Sequence, residues 1–304
     1  MNRDRPTDEE TDMAETPAGP PKKIMLATDL SGRGDRALDR ATGLAHAWGA
    51  ELLVVHALGE GELAEANGLL PSWRRAPDFA ARVEQQIRDD IRGPCPALRF
   101  HIEEGSPLTV ILEAARREHP DLLVVAMGRS GAMGGLSRTV DELFRQSPCS
   151  MLVVKKRPHG AYGHILVGTD YTTEARRGLE VATRLFPSAA VVVMHAYEMP
   201  YRNLYLDISL AERFGGVEQE TMANWLAQAE ISDDARARTT FLIEHGPPEV
   251  MLDAYVTERG ADLTVIGAYE RSRLFHLMVG GMGPRIVQSV SSDLLVVRAG
   301  PPAG

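Results

Sequence analysis

The most constraining feature of this sequence is an internal repeat. Five short segments recur in the same order and at nearly constant spacing. KIMLATD at 23–29 corresponds to HILVGTD at 164–170, and DLLVV at 121–125 corresponds to DLTVI at 262–266. The other pairs are LLVVHA with VVVMHA, IEEGSP with IEHGPP, and MLVVK with LLVVR. Such self-similarity indicates a duplicated structural unit.

The length of the chain agrees with two units, because 304 residues suit two domains of about 140 residues better than one. We predict a disordered tail at 1–20, a first copy at 21–157 and a second copy at 161–299. The linker KKRPHGAYG at 155–163 is short and contains proline, glycine and a positive cluster. We therefore expect the two copies to dock as a pseudo-symmetric pair.

Short apolar runs alternate with longer amphipathic stretches within each copy. Runs such as 52–55 and 191–194 are typical of strands buried on both faces. The stretch 33–48 places its apolar residues on one helical face, and 173–186 repeats this design with Thr172 or Thr173 as N-cap. The order β-α-β-α-β-α-β-α-β predicts an α/β fold with a parallel sheet and helices on both faces. Ligands of such sheets bind beyond the carboxyl ends of the strands, where the strand order reverses.

Net charge, cysteine content and the lengths of apolar runs indicate which partners and which cellular compartment to expect. The formal charge of −9 disfavours nucleic acid or an anionic membrane surface as the main partner. Cys95 and Cys149 have neither zinc-ligand spacing nor basic neighbours, so we expect unreactive thiols in a reducing compartment. No apolar run approaches the length of a membrane span, and 1–20 lacks a signal-peptide pattern. We expect a cytoplasmic protein without a metal site.

Each copy resembles a universal stress protein domain, and the similarity extends from Pro21 to Arg298. The shared motifs are a first strand ending in Asp (ATDLS and GTDYT), a second strand ending in VVHA or VMHA, a DLLVV or DLTVIG strand, a glycine-bearing loop, and a last strand PCSMLVVK or SSDLLVVR. The resemblance implies two Rossmann-like domains, each with an open five-stranded parallel sheet in the order 3-2-1-4-5. It also implies internal domain pairing, and ATP with magnesium as the ligand of those members that bind nucleotide. Whether whole chains pair further into homodimers stays open.

The family's phosphate-binding loop follows the fourth strand and has the pattern Gly-x-x-Gly, nine residues, then Gly-Ser or Gly-Thr. Glycines let the backbone approach phosphate, and the amides of the next helix start face the anion. In the second copy Gly267 and Gly280 fit this spacing, and Gly281 replaces the hydroxyl residue. Glu270 occupies the place of the second glycine, and Arg271 is close enough in sequence to offset its charge. We favour this copy as the nucleotide site.

The first copy departs further from the pattern. Its loop carries Gly128 and Gly131 but is two residues shorter than its counterpart, so no ungapped match exists. One alignment places the two carboxylates of residues 141–142 at the Gly-Ser position, where they would repel phosphate. The other places Ser137 near that position, and the register stays open between them. We expect a glycine-rich turn that has lost the family's spacing.

Polar residues recur at the ends of the first and second strands. Asp29 and Asp170 lie at the predicted switch point, where ATP-binding relatives contact adenine and ribose. The alternative role of these carboxylates is to cap the next helix, and one carboxylate can do both. We interpret His56 and His195 as packed under a loop rather than as general bases. The aromatic residues of the long connections are interpreted as packing against the other copy: Trp73, Tyr201, Tyr205 and Trp225.

These observations favour a regulatory binding protein of the stress response, with adenine-nucleotide binding in the second copy. The alternative is an interaction module that binds no nucleotide, with both loops silent. An adenylating or thiolating enzyme would need an SGGxDS-type loop after the first strand, where this chain has DLSGRGD and DYTTEAR, and a Walker A motif is absent. We expect no enzyme activity beyond weak ATP hydrolysis.

Overall fold

The computed structural model describes residues 19–59, 79–91, 93–95, 97–127, 138–197, 219–268 and 282–298. The predicted tail at 1–20 therefore lies almost wholly outside the described residues. The first copy contains β1 (Lys23–Ala27), α1 (Gly34–Trp48), β2 (Glu51–Leu58), α2 (Phe79–Asp90), β3 (Ala97–Glu104), α3 (Pro107–Glu118), β4 (Leu122–Ala126), α4 (Arg138–Gln146) and β5 (Ser150–Val154). The second contains β6 (His164–Gly168), α5 (Thr173–Leu185), β7 (Ala190–Tyr197), α6 (219–227), α7 (Asp233–Ala237), β8 (Thr239–His245), α8 (Pro248–Arg259), β9 (Leu263–Gly267), α9 (Met282–Ser289) and β10 (Asp293–Val297).

The strands form one ten-stranded sheet in the order β3-β2-β1-β4-β5-β10-β9-β6-β7-β8. Each copy therefore has the predicted order 3-2-1-4-5, and its five strands are parallel. The two half-sheets join through β5 and β10, which pair antiparallel with Leu152 opposite Leu295. This junction makes the sheet mixed and relates the copies by a pseudo-twofold axis. The predicted α/β class and pseudo-symmetric docking are confirmed.

Helices cover both faces of the sheet because the central strands are apolar on both sides. One apolar cluster joins the sheet to α1, α2, α5 and α6, and the other joins it to α3, α4, α8 and α9. Each cluster contains residues of both copies, so the core continues across the junction. None of the described helices is long and apolar enough to cross a membrane.

The start of the fourth strand carries a carboxylate that recurs in both copies. Asp121 Oδ2 accepts hydrogen bonds from the backbone amides of Lys22 at 2.8 Å and Lys23 at 2.9 Å. Asp262 Oδ2 accepts the equivalent pair from Gly163 at 2.9 Å and His164 at 3.0 Å. These contacts fix the entry of each copy's first strand, so the recurring DLLVV and DLTVI segments carry a structural carboxylate at the amino end of the sheet.

Candidate functional site

The expected ligand crevices lie where the first strand of each copy separates its second and fourth strands. Chain connections leave the sheet in opposite directions at this point, which opens a cleft beyond the carboxyl ends of the strands. β1 lies between β2 and β4, and β6 lies between β7 and β9. Asp29 and Asp170 follow these strands, and both side chains are exposed. The structure thus places both aspartates at the predicted switch points.

Both aspartates lie in the same strained turn. In the first copy the Thr28 hydroxyl accepts from the Leu30 amide at 3.1 Å, and Leu30 has a φ of 55°. In the second the Thr169 hydroxyl accepts from the Tyr171 amide at 3.0 Å, and Tyr171 has a φ of 66°. A large side chain at positive φ is costly and is retained mostly at functional positions. Its recurrence in both copies marks this turn as a candidate site.

The alternative role of these aspartates, helix capping, is wrong in its direct form. Asp170 Oδ1 accepts from the Thr172 amide at 3.2 Å, and it is Thr172 that caps α5 by accepting from the Ala175 amide at 3.3 Å. Asp29 Oδ1 likewise accepts from the Ser31 amide at 3.1 Å. Asp170 supports the residue directly before α5, whereas Asp29 supports Ser31, which lies three residues before α1 begins. Each carboxylate lies too far before its helix to cap it. Neither Oδ2 has a hydrogen-bond partner among the described residues.

The recurring histidines hold the same turns from the neighbouring strand. His56 Nδ1 lies 2.9 Å from the carbonyl oxygen of Thr28, and His195 Nδ1 lies 2.8 Å from that of Thr169. Because a carbonyl only accepts, Nδ1 carries the proton in both rings. Both rings are thus held against the turn that follows the first strand, which agrees with a packing role.

A series of aromatic rings runs from the turn after β6 across the carboxyl ends of β7 and β8. The ring of Tyr171 stacks on His195 with centroids 4.2 Å apart, and Trp225 contacts Tyr171 edge-on at 6.5 Å. Beyond His195 the stack continues to Tyr197 at 5.5 Å and from there to His245 at 4.3 Å. We call these five residues the aromatic wall. Among the described residues of the first copy, leucines 30 and 58 occupy the positions of the two tyrosines.

Sequence reasoning missed most of this wall. The signal was present in the repeat: ATDL against GTDY and VVHAL against VMHAY each exchange leucine for tyrosine. Trp225 was expected to pack against the other copy, and that expectation is wrong. It is buried within its own copy, where its indole nitrogen donates to the carbonyl of Thr172 at 3.0 Å. Trp73, Tyr201 and Tyr205 lie outside the described residues.

Gly267 ends β9 beside the first turn of α5. A Cβ atom added there would lie 2.2 Å from the carbonyl carbon of Glu174 and 2.6 Å from the Ala175 nitrogen. Helix packing alone therefore requires a glycine at this position. The other loop positions predicted to hold phosphate lie outside the described residues: Gly280, Gly281 and Arg271 in the second copy, and Gly128, Gly131 and Ser137 in the first.

The surroundings of both thiols favour the protonated form. Cys95 and Cys149 are both free. Burial raises the pKa of Cys95, and it raises the pKa of Cys149 to about 11, so neither thiol ionises at neutral pH. Within the described ranges, no three His, Cys, Asp or Glu side chains are grouped so that they could hold a metal ion.

Comparison with known proteins agrees with this architecture. The sequence model of the universal stress protein family matches residues 20–155 and again 161–298. The chain belongs to the universal stress protein family. A universal stress protein of Thermus aquaticus, encoded in the 3′ region of a QAH/OAS sulfhydrylase, is 31% identical over 144 residues, which is 44% of this chain and 98% of that protein.

Two solved structures are similar in fold to this protein over nearly the whole chain. A universal stress protein of Archaeoglobus fulgidus DSM 4304 has a TM-score of 0.62 at 16% identity and covers 94% of this chain and 98% of its own. A functionally unknown protein of Pseudomonas aeruginosa PAO1 has a TM-score of 0.63 at 18% identity, with coverages of 92% and 93%. At these identities the likeness concerns the fold.

Proposed function

We propose that this universal stress protein is a regulatory protein that binds an adenine nucleotide in the second crevice. The observation that carries the proposal is the strained Thr169-Asp170-Tyr171 turn at the point where the strand order reverses. A strained backbone conformation persists only where the surrounding structure holds it in place, and such residues cluster at binding and active sites. An exposed carboxylate there can accept hydrogen bonds from a ribose hydroxyl or an adenine amino group.

The aromatic wall favours the second copy over the first. Tyr171 and His195 place flat rings beside Asp170, and a nucleobase stacked on such a ring gains about 1–3 kcal/mol. Leu30 offers the first crevice no equivalent ring. The base and ribose would thus be recognised by Tyr171 and Asp170, and the phosphates by the loop that contains Gly280, Gly281 and Arg271. Magnesium would arrive on the phosphates of ATP.

A second candidate, an interaction module that binds no nucleotide, is favoured by one observation. Gly267 is required by its contact with Glu174, so its presence does not argue for phosphate. A chain that had lost nucleotide binding would keep this glycine for the same reason. The two candidates therefore differ in what they predict for Tyr171 and Asp170.

We propose no catalytic role beyond weak ATP hydrolysis. Both recurring histidines use Nδ1 to hold a backbone carbonyl, which supports a structural function. A general base would need a nucleophile or a bound water in reach. We further propose a cytoplasmic location and the capacity for further dimers of whole chains.

The deciding experiment measures the nucleotide content of the purified full-length protein by denaturation and mass spectrometry. We expect ATP or AMP at about one molecule per chain, and a rise in Tm when ATP and magnesium are added to nucleotide-free protein. Tyr171→Leu installs the residue that the first copy already carries in the same turn, so the fold should tolerate it. Affinity should fall about tenfold, whereas the matched variant Leu30→Ala should leave it unchanged. Nucleotide-free protein with no shift in Tm would favour the silent module.

A further inference from the structure

Asp293 is a buried carboxylate whose hydrogen-bonding and ion-pair partners belong to the first copy or to the linker. Its side chain is 1% exposed. Oδ1 accepts from the backbone amides of Lys155 at 2.8 Å and Lys156 at 3.0 Å, and Oδ2 accepts from the Tyr162 hydroxyl at 2.6 Å. The Nε of Arg40, on α1, lies 3.6 Å from the same Oδ2. A carboxylate this deeply buried depends on these partners for its stability.

Arg40 is the matching buried cation. Its side chain is 9% exposed, its guanidinium donates to the carbonyl of Gly160 at 2.7 Å, and it lies 4.0 Å from the centre of the Tyr162 ring. Arg40 comes from the first copy and Asp293 from the second. The ion pair therefore crosses the junction between the copies.

The contacts of the two paired strands themselves are nearly symmetric. The Arg298 amide donates to the Ser150 hydroxyl at 3.1 Å, which mirrors the contact of Lys155 with Asp293. Both paired strands are apolar, with MLVV at 151–154 and LLVV at 294–297. Nothing in these backbone or apolar contacts distinguishes one copy's last strand from the other's. Either strand could pair with its own equivalent in a second chain.

The ion pair has no symmetric counterpart. Alignment of the repeats through ATD at 27–29 and GTD at 168–170 places Val181 at the position of Arg40, and the last strands place Ser150 at that of Asp293. Val181 is also buried, so the two positions occupy equivalent places in the core. Only one of the two symmetry-related sites is charged.

We propose that Arg40 and Asp293 determine which strands pair, by selecting contact between unlike copies and opposing contact between like copies of two chains. If β10 paired with β10 of a second chain, two Asp293 carboxylates would be buried opposite Val181. If β5 paired with β5, two Arg40 side chains would be buried opposite Ser150. Removing one partner of a buried ion pair is strongly destabilising, so each like pairing carries this penalty twice.

Engineered cysteines report each like pairing. Leu295 lies at the centre of the β5–β10 register, so in a β10–β10 pair it would face itself, at a separation that a disulfide spans. Leu152→Cys reports β5–β5 pairing in the same way. Each cysteine substitution is made in the full-length chain. The same proteins without the new cysteine serve as controls for disulfides formed by Cys95 and Cys149. Interchain disulfides are quantified on non-reducing gels after mild oxidation.

The two halves of the ion pair should then respond in opposite ways. Asp293→Ser removes the buried carboxylate that opposes β10–β10 pairing. In that background Leu295→Cys should therefore form at least tenfold more interchain disulfide than in the wild type, and Leu152→Cys should show no increase. Arg40→Val frees β5, so the pattern should reverse. Loss of stability alone would raise both kinds of cross-link in both backgrounds, and that result would overturn the proposal. So would a failure of either background to cross-link.

Each single variant should also lower Tm by roughly 10 °C. If either variant fails to fold, the triple variant Arg40→Val, Tyr162→Phe, Asp293→Ser removes both charges and the Tyr162 hydroxyl together. Its charged positions then match Val181 and Ser150 of the other site, so it should fold and form both kinds of cross-link. A triple variant that folds and stays uncross-linked would show that the linker or the shape of the strands sets the pairing.

Discussion

Gly267 lies so close to Glu174 that a Cβ atom on it would be 2.2 Å from the Glu174 carbonyl carbon. This contact distinguishes the copies, because α5 begins three residues after Asp170 whereas α1 begins five residues after Asp29. The earlier start of α5 brings its first turn onto the end of β9. In the first copy Ala126 occupies the position of Gly267. The extra methyl group is accommodated there because the helix begins later.

Gly267→Ala should therefore destabilise the protein whether or not nucleotide binds. The added methyl group meets backbone atoms, which cannot rotate away, and we expect a loss of about 3 kcal/mol in the free energy of unfolding. Urea denaturation followed by circular dichroism measures this. Gly43→Ala is the matched control: it lies in the interior of α1 with nothing within 4 Å of its added Cβ, and should stabilise by roughly 0.5–1 kcal/mol. Equal stability of Gly267→Ala and wild type would contradict the packing explanation.

The repeat predicted the fold well because each strand and helix can be recognised from a short stretch of sequence. Buried parallel strands such as β1 and β6 are continuous apolar runs, and their order follows from the alternation with helices. The antiparallel joining of β5 to β10 could not be predicted in the same way. That contact depends on Asp293 meeting Lys155, and residues 138 positions apart leave no local pattern in one sequence.

The candidate site was predicted in part for the same reason. Asp29 and Asp170 follow strands and could be placed from sequence. The positive φ of Tyr171 could not be predicted, because tyrosine seldom adopts such a conformation and the position has no glycine to indicate it. The contact of Gly267 with Glu174 was also hidden, because it depends on a shift of two residues in where a helix begins.

Lys155 should make stability depend on pH in the alkaline range. Its ammonium group donates to the carbonyls of Val287 and Val290 at the end of α9. Burial lowers its pKa from 10.5 to about 8, while Asp253 and Asp293 act in the opposite direction. Between about pH 8 and 10.5 the unfolded chain holds this proton and the folded chain does not. This group's contribution to the free energy of unfolding therefore rises with pH across that window and is constant below it.

Lys155→Met should abolish that rise. The measurement is urea denaturation at intervals from pH 7.5 to 10.5, compared with wild type, so that other titrating groups cancel. Lys156→Met is the control, because Lys156 is adjacent in sequence but exposed. If Lys155→Met and wild type show the same slope, Lys155 keeps its proton in the folded protein.

The two thiols should react slowly in the native protein and in a fixed order. Cys149 is buried and its pKa is raised to about 11, whereas Cys95 is partly exposed. Since the thiolate is the reactive form, a disulfide reagent at pH 7.5 should modify Cys95 first and Cys149 only when the protein unfolds. Labelling of Cys95→Ser protein isolates Cys149, and urea should accelerate it at least a hundredfold. Rapid labelling of native Cys95→Ser would contradict the buried placement.

Nucleotide binding should depend on the second copy and not on the first. Asp170→Ala removes the exposed carboxylate of the second crevice, while Asp29→Ala makes the same change in the first. We expect the former to weaken binding of ATP with magnesium about tenfold or more and the latter to have no effect, as measured by isothermal titration calorimetry. Each variant removes a carboxylate that accepts from the backbone amide two residues later, so a common effect on stability is controlled.

The two glycine-rich loops provide a second, independent pair of matched variants. Gly280→Glu introduces a side chain and a negative charge where the second copy's phosphates would lie, and charge repulsion in a phosphate site should abolish binding. Gly128→Glu makes the same change in the first loop and should leave binding intact. The opposite pattern would place the nucleotide in the first copy, where no aromatic ring follows the aspartate. Loss of binding in both would instead indicate that the two crevices act together.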